Sequence, residues 1–401
     1  MTQIFVDEWI DIYQYPLQFQ KSLGSLTIGD LHGNCVKLLH LLLRYHIIQF
    51  KKEVDHPAEV YQQFVEAYEE AGFIARMAIK TGNWEGQQLA RLMQAFNQFM
   101  NQLEVIDHKT CIRLLGDDVA DRGSNDYFIL CLFAFLQKHH VPLTILFSNH
   151  GFELLKTFEE VLQGGEFQID SGILLAQKTS IVGVKLLLKE HILSMDEWID
   201  LVDRIYLPTL KVLDYSVSAE GISLFSHAPI GFSAIKALAH HLGVVYRDDT
   251  KDALTDTIDH INQTFSKALQ RHSLLEICYF GGIEDSTHMS TKEIAEMPLI
   301  HVIWNRCNVL KDTIDLRPKS QHDYLVYYFH GHDVYHSSLP YVYNMNSRSG
   351  MGAYEHQQKD RAKLSELLAN PSLNPEESLE IKQLLADFNE KILDSDEDNR
   401  G

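Results

Sequence analysis

Short apolar runs that each end in a polar cluster restrict the fold of this chain more than any other feature. Six of these runs predict buried strands: Ser25–Ile28, Thr110–Leu115, Leu143–Phe147, Ile222–Phe225, Leu299–Ile303 and Tyr324–Phe329. Stretches with helical periodicity, Cys35–Tyr45 and Asp126–Lys138, lie between some of them. The alternation predicts a layered α/β domain whose functional site lies beyond the carboxyl ends of the strands.

A long insertion separates the first two predicted strands. Apolar residues recur there at helical spacing in two stretches, namely Val60, Phe64, Ala67 and Ala71, then Leu89, Leu92, Phe96, Phe99 and Leu103. Gly82-Asn83 supplies the turn between them, so residues 56–106 are predicted to form a helical hairpin. The hairpin either packs against the catalytic domain or binds a substrate or partner protein. Residues 186–220 and 231–298 are predicted to be further, mostly helical insertions.

Composition excludes several function classes. The formal net charge of −20 repels phosphate backbones, so nucleic acid is not expected as a partner. An acidic chain that handles phosphate needs local positive charge, which bound metal ions supply. The most apolar stretch, Tyr127–Leu136, is too short to cross a bilayer, and the acidic N-terminus does not resemble a secretory signal. We therefore expect a cytoplasmic location without a membrane span.

Cysteine usage indicates a reducing compartment and argues against a thiol nucleophile. The five cysteines are scattered along the chain, at Cys35, Cys111, Cys131, Cys278 and Cys307. None is followed six positions later by arginine, as the loop of a cysteine phosphatase requires. Any phosphatase chemistry must therefore use a different nucleophile.

Residue types that ligate metals follow five of the predicted strands. In chain order these residues are Asp30, His32, Asp117, Asn149, His227 and His332. A single histidine after a strand is more often structural than a ligand, and pairs such as His139-His140 are expected by chance among 21 histidines. The joint pattern of residue type, position and order favours a shared metal site at one edge of the sheet.

The order of these motifs resembles the metallophosphoesterase superfamily and, within it, the phosphoprotein-phosphatase family. The family motifs GDxHG, GDxVDRG and GNHE correspond here to residues 29–33, 116–123 and 148–151, and two later histidines complete the set. The resemblance spans about residues 25–345. It implies an α/β fold, the calcineurin-like α/β/β/α sandwich with helical insertions. We assign residues 1–354 to the catalytic domain and 355–401 to an acidic helical extension in which Asn374, Pro375 and Glu377 begin a helix.

The resemblance also implies roles for individual residues. Asp30, His32 and Asp117 would hold one divalent cation, and Asp117 would share the second with Asn149, His227 and His332. The two ions, manganese with iron or zinc as alternatives, would activate a water for attack on phosphorus.

Four further residues are implied to act on the substrate. His150 would protonate the leaving oxygen, and Asp121 would orient that imidazole. Arg122 would bind phosphate oxygens, and Arg306 would provide a second phosphate contact because Val302–Arg306 resembles a segment of bacterial family members.

Several departures from the family motifs bear on these roles. The second motif, GDDVADRG, has one additional residue, which would displace Asp121 and Arg122 or create a bulge. Gly151 replaces the usual glutamate of the third motif, and Glu153 is a candidate for its contact with Arg122. The fourth motif reads His-Ala-Pro, and Val334 stands where the wider superfamily has another histidine, which favours the protein-phosphatase branch.

The sequence thus predicts hydrolysis of phosphoserine, phosphothreonine or phosphotyrosine in phosphorylated proteins. The drifted motifs and acidic tail resemble the Wip-type phosphatases that some bacteria deliver into host cells by a type IV secretion system. A dinucleoside polyphosphate hydrolase is the main enzymatic alternative. A degenerate scaffold that binds a partner through its hairpin is the non-enzymatic alternative.

Overall fold

A computed structural model of the chain describes residues 10–18, 23–84, 86–168, 178–278, 297–306, 324–333 and 339–346, together with Ser365, Leu368 and Lys382. The chain divides into two compact units, Met1–Gly350 and Met351–Gly401. Apart from those three isolated positions, the predicted extension 355–401 and its helix start lie outside the described residues. The boundary at 354 therefore stays a prediction.

The described residues of the first unit form two kinds of regular element. The strands are β1 Ser25–Ile28, β2 Ile48–Phe50, β3 Leu103–Val105, β4 Cys111–Leu114, β5 Leu143–Leu146, β6 Leu210–Lys211, β7 Asp214–Val217, β8 Gly221–Ser226, β9 Leu325–His330 and β10 Val342–Asn344. The helices are α1 Cys35–Arg44, α2 Pro57–Thr81, α3 Gly86–Met100, α4 Asp126–Lys138, α5 Asn149–Leu162, α6 Thr179–Lys189, α7 Met195–Asp200, α8 Phe232–His241, α9 Lys251–Gln270, α10 Leu274–Ile277 and α11 Pro298–Trp304. A π-helical segment, Leu201–Tyr206, extends α7.

Two four-stranded sheets form the centre of the fold. The first has the order β1-β4-β5-β6 and is parallel throughout; the second has the order β10-β9-β8-β7, with only β7 antiparallel to its neighbour. An apolar cluster of Leu115, Leu146, Phe225 and Phe329 joins side chains of both sheets. The two sheets therefore pack face to face with helices outside, which confirms the predicted α/β fold.

The two sheets are also joined by a buried ion pair. Arg113 of β4 donates from Nε to Oδ2 of Asp214 at 2.6 Å, and its guanidinium carbon lies 3.9 Å from the ring centre of Phe225. Lys211 binds the other oxygen of Asp214 at 2.9 Å. Only 6% of the Arg113 side chain and 9% of the Asp214 side chain are exposed. Removing either partner would leave a desolvated charge between the sheets.

We expect Asp214→Leu to lower the free energy of unfolding by about 3–5 kcal/mol, because it leaves Arg113 buried without its carboxylate. The double variant Arg113→Met/Asp214→Leu should lose less than the sum of the two single variants. The exposed pair of Asp200 and Arg204 provides the control, since Asp200→Ala should cost less than about 1 kcal/mol. Urea denaturation measures the free energy of unfolding of all four variants. A double variant whose loss equals the sum of the two single losses would show that Arg113 and Asp214 do not stabilise each other.

The insertion between β2 and β3 consists of two long helices that pack against each other. Gly82 ends α2 in a left-handed conformation, with φ of 75°. The rings of Phe64 on α2 and Phe99 on α3 stack at 4.2 Å, and Phe96 contacts Phe128 of α4 at 4.5 Å between ring centres. The antiparallel ribbon of β2 and β3 closes the base of this hairpin. The hairpin therefore packs against the catalytic domain through an aromatic cluster.

One predicted strand is wrong. Leu299–Ile303, predicted as a strand, lies in helix α11, where Pro298 occupies the first turn and the four apolar residues of the run are all buried. The region 186–220 is mostly helical, as predicted, and also contains the short strands β6 and β7. Residues 279–296 of the insertion predicted at 231–298 lie outside the described residues. No helix in the described part of the chain combines the length and apolar character that a bilayer crossing requires.

Candidate active site

The carboxyl ends of five strands bring the six predicted metal ligands together. Asp30 and His32 follow β1, Asp117 follows β4, Asn149 follows β5, and His227 and His332 follow β8 and β9. None of the six is more than 6% exposed. Groups of ligand atoms within 4.8 Å of one another are formed by Asp117, His227 and His332, and by His32, Asp117 and Asp121. Asp117 belongs to both groups.

The loops that carry these ligands have unusual backbone conformations. His32, Asp117 and His332 have φ of 55°, 49° and 61°, in the left-handed region that side chains other than glycine seldom adopt. Gly116, with φ of 112°, brings its backbone so close to His227 that an added Cβ would lie 2.6 Å from Nδ1. Strain of this kind persists where packing enforces it and is concentrated at functional sites.

In the group around His32, a carboxylate orients the imidazole. His32 Nδ1 lies 3.0 Å from Oδ2 of Asp121 and donates its proton there, which leaves the lone pair on Nε2. Nε2 is buried and has no hydrogen-bond partner among the described residues. A histidine that is oriented by a carboxylate and offers an unpaired nitrogen is a typical metal ligand.

In the second group, electron-rich atoms converge without a proton between them. His227 Nδ1 donates to the carbonyl of Leu115 at 2.8 Å, so Nε2 carries a lone pair. That Nε2 lies 2.9 Å from Oδ1 of Asn149 and 3.3 Å from Oδ1 of Asp117. Within the described residues, His332 Nε2 is likewise buried and unpaired. A cation would neutralise this arrangement.

Asp30 lies beside both groups. Its Oδ2 accepts the backbone N–H of His332 at 2.6 Å, whereas Oδ1 is buried without a hydrogen-bond partner in the described ranges. Burial and the negative charge of Asp117 raise the pKa of Asp30 well above its usual value. The residues therefore fit divalent cations, because a positive ion would relieve the repulsion between the carboxylates and use the unpaired oxygens and nitrogens.

Asp121 connects His32 with Arg122 and His150. Its Oδ1 accepts from the Arg122 guanidinium at 3.1 Å and lies 3.6 Å from Nε2 of His150. Burial favours the neutral form of Asp121, but the charge of His150, the hydrogen bond from His32 and the charge of Arg122 together hold its pKa below the usual value. His150 donates from Nδ1 to the Ala120 carbonyl at 2.8 Å.

The additional residue of the second motif forms a bulge and does not displace Asp121. Ala120 has φ of 54°, and its N–H donates to both oxygens of Asp126, at 3.1 and 2.9 Å. Its carbonyl accepts from His150. The left-handed conformation of Ala120 thus accommodates the insertion, and both Asp121 and Arg122 reach the site.

The suggested contact between Glu153 and Arg122 is wrong. Glu153 instead accepts a hydrogen bond from Lys178 at 2.9 Å, and Arg122 pairs with Asp121. Glycine suits position 151 because an added Cβ would lie 2.9 Å from the Tyr206 hydroxyl. Arg306 reaches the edge of the site, where its guanidinium donates to the His332 carbonyl.

Two residues that no sequence motif identifies, Lys37 and Ser180, hydrogen-bond to the backbone of the loops that carry Asp30 and Asp121. Lys37 is buried, donates to the Asp30 carbonyl and has a pKa lowered by burial to about 8. Ser180 of α6 accepts the Asp121 N–H at 3.0 Å, and its own N–H donates to the Asp121 carbonyl at 3.0 Å. The sequence gives no indication of the role of Ser180. Lys37 could have been noticed, because it is a lysine among the apolar residues of a predicted helix.

We expect Gly331→Ala to abolish metal binding, because the added methyl group would overlap Oδ1 of Asp30. The matched control is Gly86→Ala, whose methyl group meets only the flexible, exposed carboxylate of Glu190. Calorimetric titration with Mn²⁺ should show binding to the control and not to Gly331→Ala. An unchanged affinity for Mn²⁺ in both variants would contradict the close approach of Gly331 to Asp30.

Comparison with known proteins defines the class. Residues 111–351 match the family described as the WipA-like phosphatase domain, so the chain belongs to that family and is a phosphatase. The phosphatase domain from the Legionella effector WipB is a similar solved structure, with 26% sequence identity and a TM-score of 0.64. The match covers 78% of this chain and all of that one. No curated protein matches the chain.

Proposed function

We propose that this phosphatase hydrolyses phosphate monoesters on phosphorylated protein side chains at a site for two divalent cations. The observation that carries the proposal is the position of Asp117, which belongs to both groups of candidate ligands. The ligands would be Asp30, His32, Asp117, Asn149, His227 and His332, with manganese as the expected metal and iron or zinc as alternatives. Bound there, two cations would acidify a water and stabilise the charge that develops on the phosphoryl group.

His150 is positioned to supply the proton that the leaving oxygen needs. Its Nδ1 is held by the Ala120 carbonyl, so Nε2 carries the proton that can be transferred. Asp121 lies 3.6 Å from this Nε2 and stabilises the imidazolium. Burial lowers the pKa of His150, but Asp121 and Asp117 outweigh that effect and raise it. The protonated form required of a general acid is therefore favoured.

Two arginines would bind the phosphate. The Arg122 side chain is 22% exposed and the His150 side chain is 12% exposed, whereas Asp121 is fully buried. The accessible side of the site thus presents cationic groups, although the chain as a whole carries a formal charge of −20. A guanidinium has five N–H donors, so Arg122 can bind phosphate oxygens while it still pairs with Asp121. Arg306 would act from the edge near His332.

A protein substrate is supported by the family and by the acidity of the chain. The net charge disfavours polyanions such as dinucleoside polyphosphates, whereas a single phosphomonoester requires only local positive charge. WipB is an effector, and we extend that role to this chain as part of the proposal. It would be delivered by a type IV secretion system and act inside a host cell.

A substrate panel tests this function. Phosphoserine, phosphothreonine and phosphotyrosine peptides are compared with dinucleoside polyphosphates, each with added Mn²⁺ and after chelation. We expect Mn²⁺-dependent phosphate release from at least one peptide class. Preferential hydrolysis of the dinucleotides would reassign the substrate, and inactivity on every substrate would support a scaffold.

A further inference from the structure

The inserted hairpin reaches the active-site loops through one hydroxyl group. Tyr68 lies on α2 and is 1% exposed. Its hydroxyl donates to the Gly33 carbonyl at 3.1 Å and accepts the N–H groups of Cys35 at 3.1 Å and Ser124 at 3.0 Å. One donor and two acceptor sites exhaust the capacity of a phenol. Tyr68 therefore binds two backbone segments that are distant in sequence.

These two segments carry functional residues of the site. Gly33 lies in the loop between β1 and α1 that carries His32 (the His32 loop), and Cys35 begins α1 directly after it. Ser124 lies in the loop between β4 and α4 that carries Asp121 and Arg122 (the Asp121 loop). The two loops also touch directly, because a Cβ on Gly123 would overlap the Gly33 carbonyl. The hydrogen bond from His32 to Asp121 spans the same junction at 3.0 Å. The Tyr68 hydroxyl thus ties together the loops whose separation sets that hydrogen bond.

The hairpin packs closely against the Asp121 loop at this contact. One turn along α2 from Tyr68, an added Cβ on Gly72 would overlap the Ser124 side chain. The Tyr68 ring packs against Phe64 and Phe128, with ring centres 6.1 and 5.8 Å apart. Since these ring contacts do not involve the hydroxyl, phenylalanine at position 68 should keep the packing and lose only the three hydrogen bonds.

We infer that Tyr68 is a positioning residue, through which the inserted hairpin holds the His32 loop and the Asp121 loop in register for metal binding and catalysis. The inference rests on the proposed function. It gives the hairpin a role beyond packing, because α2 supplies part of the framework that aligns the metal ligands with Asp121. Ligand positions must be held within fractions of an ångström for full activity, and a displacement near 1 Å costs about a hundredfold in rate.

Tyr61 provides a matched control on the same helix. It is fully buried, its ring lies against Tyr15 and His40, and its hydroxyl donates to the Ile12 carbonyl at 2.6 Å. Tyr61→Phe and Tyr68→Phe therefore remove the same buried group from the same helix. Only Tyr68→Phe breaks contacts with the loops of the proposed site.

The experiment compares the full-length wild type, Tyr68→Phe and Tyr61→Phe in three measurements. Thermal unfolding reports stability, calorimetry reports the affinity for Mn²⁺, and hydrolysis of p-nitrophenyl phosphate at saturating Mn²⁺ reports kcat. We expect both variants to unfold at lower temperature than the wild type. Tyr68→Phe should also bind Mn²⁺ more weakly and lose about tenfold to a hundredfold in kcat, whereas Tyr61→Phe should keep wild-type values for both.

The possible outcomes separate this inference from the function on which it rests. An active wild type with equal kcat and equal Mn²⁺ affinity in the two variants would overturn the role of Tyr68 and leave the phosphatase proposal intact. A wild type that neither binds Mn²⁺ nor hydrolyses phosphate esters would overturn both. If Tyr68→Phe does not fold, Gly72→Ala replaces it, because the added methyl group would overlap the Ser124 side chain and displace that loop from α2. Wild-type Mn²⁺ affinity and kcat in Gly72→Ala would show that the site does not depend on how α2 holds the Ser124 loop, which would refute the inference.

Discussion

Replacing Asp117 by asparagine is expected to lower kcat/KM by about a thousandfold or more, because one carboxylate would serve both cations of the proposed site. Asp117 belongs to both ligand groups, and its Oδ1 lies 3.3 Å from Nε2 of His227. The amide keeps the shape of the side chain but loses the negative charge that would bridge two positive ions. Hydrolysis of a phosphopeptide in excess Mn²⁺ measures the effect.

The neighbouring Asp118 supplies the control for this variant. It is fully buried, belongs to neither ligand group and accepts a hydrogen bond from the Tyr206 hydroxyl at 3.4 Å. Burial raises the pKa of Asp118 to about 8, and an asparagine at this position keeps the shape of the side chain and an oxygen that can accept from Tyr206. Asp118→Asn should therefore stay within about tenfold of the wild type. Asp117→Asn with comparable activity would show that Asp117 is not the shared ligand.

Replacing His150 by alanine should produce the second largest effect, and its size should depend on the leaving group. On a phosphoserine peptide, kcat should fall about a hundredfold to ten-thousandfold, because an alkoxide leaves poorly without a proton. On p-nitrophenyl phosphate the loss should be much smaller, since an acidic phenol departs as its anion. Steady-state kinetics on the two substrates measures the contrast.

The contrast also distinguishes proton donation from a structural role. His150 is next to the proposed ligand Asn149 and contacts the Ala120 carbonyl, so its removal could disturb the loop. A disturbed site would lose activity on both substrates to the same extent. Equal losses would therefore refute the role of His150 as general acid. Retained Mn²⁺ affinity in His150→Ala would show that the ligands themselves are undisturbed.

The strands that position the site could be predicted from the sequence, because each is an apolar run that stops at a polar cluster. β1 was predicted with its observed bounds, and β4, β5, β8 and β9 were predicted within one residue at either end. The short strands β6 and β10 were missed, since two or three residues carry no detectable periodicity. The run Leu299–Ile303 predicts a strand because its four buried apolar residues fit either kind of element.

The candidate site was predictable where residue type and chain position sufficed. Asp30, His32, Asp117, Asn149, His227 and His332 follow strand ends, and parallel strands deliver such residues to one edge. Contacts made from other elements were not predictable, because Tyr68, Ser180 and Asp126 reach the loops from helices that no motif identifies. The bulge at Ala120 also depended on a backbone conformation that its residue type disfavours.

Metal stoichiometry tests the central claim most directly. Metal-free wild type and Asp117→Asn are titrated with Mn²⁺ by calorimetry, and the bound metal is counted by elemental analysis after gel filtration. We predict two Mn²⁺ ions per wild-type chain and loss of tight binding at both positions in Asp117→Asn. A single ion or none in the wild type, or two ions retained by Asp117→Asn, would contradict a site built on a shared carboxylate.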